Sequence, residues 1–185
     1  MRKINAFVSA LILLLFLIHG ITGAFQLTGI MQGGSGVRTV LSWVMTGLVL
    51  IHVVIGIVLT VQTLRSLKRS GASYFRENTE FWIRRISGFA MMLLIIFHVI
   101  VFTGESGEAF RLTAFGWLQL AAHFLLLLAI LVHISVNIKP LLISFGIGGG
   151  RIYIKDILLV LSVILAVCAA AFIIYYIRWN IAWRY

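Results

Sequence analysis

Apolar residues dominate five runs of this chain, each longer than the roughly 20 residues needed to cross a ~30 Å hydrocarbon layer as a helix. The pattern predicts spans over Ile4–Ile30, Val37–Leu67, Phe81–Thr103, Leu112–Ser144 and Tyr153–Trp179. The breaks carry turn chemistry: "QGGSG" follows the first run, "TGESGE" the third and "GIGGG" the fourth. Pro140 falls inside the fourth run and predicts a kink there, with the helix continuing through "LLISF" until the glycines stop it. Only helices and closed barrels satisfy their backbone in lipid, and these runs are too long for barrel strands. The expected fold is therefore all-α: one integral membrane bundle of five up-and-down helices covering residues 1–185.

Composition agrees. Of 185 residues, 62% are hydrophobic and 11% charged, against about half and a quarter in soluble domains. The N-terminus is basic and then apolar like a signal peptide, but its apolar run is long enough to span, so it reads as a retained first helix. A single cysteine, Cys168, excludes an internal disulfide, a thiolate metal cluster and a c-type haem attachment. The net charge of +10 speaks to topology rather than to nucleic acid. Arg2, Lys3, Arg65, Lys68, Arg69, Arg76, Arg84, Arg85, Lys139, Arg151 and Lys155 collect on one side. Arg38, Arg111, Arg178 and Arg184 fall on the other. The positive-inside rule then puts the N-terminus in the cytoplasm and the C-terminus outside.

All five histidines sit in apolar runs, and the first four helices each carry at least one. Polar rings inside a membrane are costly and point to function. Counted down from the outer boundary at ~1.5 Å per residue, His98 and His19 lie in the outer part of the layer, and His52 and His133 deeper. A proton relay or a bare metal ion would call for carboxylates or thiolates nearby, and the spans have almost none. Paired imidazoles in an apolar lining are what b-type haem requires. The expectation is two haems b: His19 with His98 at the outer level, His52 with His133 at the inner. The first two sites share the pattern Leu-Ile-His-x-x-x-Gly, and Gly23 and Gly56, one turn on from the histidine, remove a side chain where a porphyrin would lie. His123 is left for a propionate or quinone contact, its bland alternative being a hydrogen bond between helices. Lys139, Arg85 and Arg84 are candidates for neutralising the inner propionates, with snorkelling as the alternative.

In "RRISGFAMMLLIIFHVI", Arg85, Ser87 and Gly88 followed by His98 resemble the Arg-x-Ser-Gly…His pattern in membrane cytochrome b subunits of succinate dehydrogenase and fumarate reductase. The five-helix layout, with a histidine on each of the first four helices, is similar to the diheme, menaquinone-linked class of that family. The resemblance implies the same pairing of first with third and second with fourth helix. It implies a flavoprotein with FAD and an iron–sulfur subunit docked on the cytoplasmic face, and a quinone site near one haem. The setting it implies is a bacterial-type cytoplasmic membrane. Gln26, Gln119, Glu105 and Glu108 are the candidates for that quinone site, the two glutamates in the outer "TGESGEAF" loop. Other readings of the layout are a cytochrome b subunit of hydrogenase or formate dehydrogenase, a free-standing transmembrane haem b reductase, and a haem-free transporter with packing histidines.

Overall fold

A computed structural model describes residues 1–32, 36–70, 79–103, 115–147 and 151–182, except the side chains of residues 67, 70, 151, 152 and 182. Its elements are α1 (Arg2–Leu27), α2 (Gly36–Ser70), α3 (Thr79–Phe102), α4 (Trp117–Ser144) and α5 (Arg151–Ile177), the last extended by a π-helical turn, Arg178–Ala182. All five helices are long and apolar enough to cross a membrane. Four of them follow the expected spans to within a few residues. The fourth starts later than its apolar run suggested, at Trp117, where Gly116 is extended and its N–H donates to Gln119 Oε1 at 3.1 Å. That bond closes the first turn from the side chain. Residues 104–114, which hold Glu105 and Glu108, lie outside the described residues.

Packing sets the layout. α2 lies on α1 and α3 on α4, α1 touches α4, and α5 backs both α1 and α4. Around the centre the order is thus α2–α1–α4–α3, and no packed face joins α2 to α3 among the described residues. The solid core sits on the α5 side. One cluster gathers Phe115, Ile164, Cys168, Phe172 and Tyr175, another Leu126, Ile130, Leu161 and Leu165. Gly20 lets α1 close onto α5, since a Cβ there would already stand 3.4 Å from both Cys168 Sγ and Ile164. Outward-facing apolar stripes are written at helical spacing, as in Ile86, Phe89, Leu93, Ile96 and Ile100 of α3, all exposed.

α4 runs through Pro140 to Ser144 and ends where Gly146 takes φ 80°, the left-handed position that glycine fills without strain. A proline inside a helix deprives the carbonyl four residues back of its donor. Here that carbonyl is Val136 O, and Arg84 Nε of α3 donates to it at 3.1 Å. Arg84 also pairs with Glu80 at 2.7 Å. Its guanidinium is engaged in holding α3 to the proline turn of α4.

Candidate functional site

A cavity of about 1800 Å³ fills the centre of the α1–α4 layout. Pockets for a single small ligand run to roughly 300–1,000 Å³, so this one has room for two. His19, His52, His98 and His133 all line it, as do Gly23 and Gly56. Nothing stands within 4 Å of where a Gly23 Cβ would be, and only Arg85 Nη1, at 3.9 Å, approaches that of Gly56. Both glycines therefore leave open wall beside their histidines.

The rings meet in two diagonal pairs. His19 of α1 and His98 of α3 have centroids 6.0 Å apart at 79° between planes. His52 of α2 and His133 of α4 have centroids 6.3 Å apart at 89°. Two nitrogens on opposite sides of one metal ion, with bonds of ~2 Å and each ring centre another ~1 Å behind, put the centroids about 6 Å apart. Among the described residues no group of three or more His, Cys, Asp or Glu side chains forms a metal site. Each pair supplies two imidazoles that could hold a cofactor.

Each cavity ring has a polar neighbour at Nδ1. Ser9 Oγ donates to Asn5 O at 2.7 Å and touches His52 Nδ1 at 3.2 Å. Ser42 Oγ donates to Arg38 O at 3.0 Å and touches His19 Nδ1 at 3.1 Å. Ser87 Oγ donates to Arg84 O at 3.3 Å and touches His133 Nδ1 at 3.1 Å. A hydroxyl has one proton. With that proton on the helix carbonyl, each serine oxygen is left to accept, and the Nδ1 of its histidine is the donor. His98 reaches the same state by another route. His123 Nδ1 sits 2.6 Å from Gln119 O, which only accepts, so the His123 proton is on Nδ1. Its Nε2 is then the acceptor for His98 Nδ1–H at 3.1 Å. All four cavity histidines keep a bare Nε2 lone pair that makes no hydrogen bond among the described residues. Metal-bound histidines are held in this way, the second nitrogen donating to a fixed acceptor.

The braces are reciprocal between neighbours. α1 supplies Ser9 to His52 of α2, and α2 supplies Ser42 to His19 of α1. α3 supplies Ser87 to His133 of α4, and α4 supplies His123 to His98 of α3. Gly88 belongs to the same arrangement, because a Cβ there would stand 3.2 Å from His133 Cε1. The Ser-Gly pair thus gives His133 both its acceptor and its room. Comparison with known proteins is silent: no family model, curated protein or solved structure matches this chain.

The other candidates divide. Arg85 lines the cavity beside Gly56 and stacks on Phe81 with its guanidinium carbon 5.0 Å from the ring centre. Gln26 lines it as well. Gln119 caps α4, and His123 lies behind His98, 1% exposed, so neither faces the cavity. Ser9 and Ser42 were not singled out in the sequence. A signal for them exists: Ser9–His19, Ser42–His52 and His123–His133 are each ten residues apart, and Ser87–His98 eleven. Three helical turns are about 10.8 residues, so each of the four helices carries its brace and its cavity histidine about three turns apart along the axis.

Proposed function

We propose that this chain is a diheme cytochrome b that carries electrons across a membrane, as the anchor of a succinate dehydrogenase or fumarate reductase. Support rests on one observation: four histidines on four helices, each with a polar neighbour at Nδ1, meet as two pairs with ring centroids 6.0 and 6.3 Å apart. Haem b, when bound, supplies a one-electron carrier whose potential the axial ligands and their surroundings tune. The chain's own work is placement. His19 and His98 hold the outer level, His52 and His133 the inner, about 15 Å further along the helices at ten residues of 1.5 Å rise. Gly23 and Gly56 clear the wall, and Arg85 offers a positive charge beside the inner pair for a propionate.

In this reading the N-terminus and the basic ends of the helices face the cytoplasm. There they receive an iron–sulfur subunit and its FAD flavoprotein, which hold the dicarboxylate chemistry. Menaquinone or another quinone exchanges electrons near one haem, with Gln26 at the cavity wall as a contact. Reduced-minus-oxidised spectra of the purified chain test the core of the proposal, the expected result being a b-type α-band and two haems per chain. A chain expressed with haem supply that shows no such band is not a cytochrome. Co-purification with a flavoprotein and an iron–sulfur protein tests the partners, and recovery with a hydrogenase or formate dehydrogenase subunit would reassign them.

A further inference from the structure

Three of the four braces are serines and the fourth is an imidazole. His123 is 1% exposed and enclosed by aromatic rings, with centroids of Phe172 at 4.6 Å, Phe102 at 5.3 Å and Phe115 at 5.3 Å. Both of its nitrogens are occupied, one by Gln119 O and the other by His98 Nδ1. It has no polar atom left for a ligand of its own. Resting on the haem reading above, we infer that His123 is a positioning residue that makes the outer centre electronically distinct from the inner one. The acceptor nitrogen of a neutral imidazole draws on the His98 Nδ1–H more strongly than a serine oxygen does, and a firmer second-sphere acceptor makes the ligating nitrogen more basic. A more basic axial ligand favours ferric iron, so His123 holds the outer centre at a lower potential than a serine brace would. The protein side of this needs no proton to leave: the Gln119 carbonyl fixes His123 as the Nδ1–H tautomer, and that tautomer fixes His98.

The test replaces His123 in the full chain, purified with its haems, and reads both midpoint potentials and the low-spin electron paramagnetic resonance signals. The outer centre is assigned as the one lost in His19→Leu. His123→Leu removes the acceptor in a comparable volume. His123→Gln puts an amide oxygen near the position of Nε2. The expected result is two haems in both variants, a raised outer potential in His123→Leu, an outer potential nearer the wild type in His123→Gln, and an inner potential that stays put. Unchanged outer potentials in both variants would reduce His123 to packing and overturn the inference while leaving the cytochrome reading intact. Loss of one haem from both, with His98→Leu keeping two, would make His123 the ligand and overturn it as well. A wild-type chain without haem would take both readings down together.

Discussion

Replacing His52 and His133, singly and together, separates the pairing from every other use of these histidines. Their centroids are 6.3 Å apart, and each ring is braced by a different residue, Ser9 for one and Ser87 for the other. If both hold one iron, either Leu substitution removes half of the axial field of one haem. Losing only a brace behind a ligand costs about 10–100-fold in metal affinity, so losing the ligand itself should empty that level on purification. Haem per chain, measured by pyridine haemochrome against protein, is expected to fall from two to one in His52→Leu and in His133→Leu. The double variant should also keep one, because the second substitution removes nothing the first has left. This non-additivity is the signature of two groups acting as one site. The remaining haem should be lost on adding His19→Leu or His98→Leu. A double variant with no haem, or single variants that both retain two, would refute the diagonal pairing.

Three further outcomes follow from other contacts. Ser9→Ala, Ser42→Ala and Ser87→Ala each remove one Nδ1 acceptor. Each should weaken haem retention about 10–100-fold at one level only, the inner level for Ser9 and Ser87 and the outer for Ser42, as read by dilution or competition with apomyoglobin. The ring planes cross at 79° and 89°, so ferric spectra should show the highly anisotropic low-spin signal of crossed axial imidazoles at both centres; rhombic signals of parallel rings would contradict the ring orientations. Arg84→Met leaves the Val136 carbonyl without its donor and should destabilise the bundle by about 1–3 kcal/mol. Pro140→Ala returns a backbone N–H to that carbonyl, so Arg84→Met should cost less in the Pro140→Ala background, a coupling that denaturation in detergent can measure.

The five helices were legible because the thickness of a bilayer is a severe ruler for apolar runs and these runs hold almost no charge. The start of α4 was not. Residues 112–115 are mostly apolar and extend the run, yet Gly116 is the residue whose extended backbone opens the helix. Depth along the helices suggested which rings come together, since a fixed rise per residue converts position into level, but it put His123 level with His19 and could not separate the two. The serine braces were hidden by their own commonness. Thr46, Thr60, Ser135 and Ser162 also donate to the carbonyl four residues back, and none of them holds a histidine. In lipid such back-bonding is the default for a hydroxyl, so a serine that also accepts from an imidazole looks no different in one dimension. Gln119 was legible as a polar side chain at depth, but not as the cap of a helix whose start had been placed five residues too early.

What each contact joins bears on why the four cavity histidines come one from each of α1 to α4. Every brace stays within a pair of packed neighbours, α1 with α2 or α3 with α4. Every ligand pair crosses from one of these units to the other, α1 to α3 and α2 to α4. The two units touch through α1 and α4 and are backed by α5, while α2 and α3 share no packed face among the described residues. The most hydrophobic window of α2 buries none of its residues. The contacts that orient the imidazoles are thus internal to each unit. In the proposed diheme reading, holding α2 and α3 in place across the cavity would fall to the haems. Two ligands from one helical pair would bind a cofactor without joining the units; ligands on the diagonals would make binding and assembly of the four-helix layout the same event.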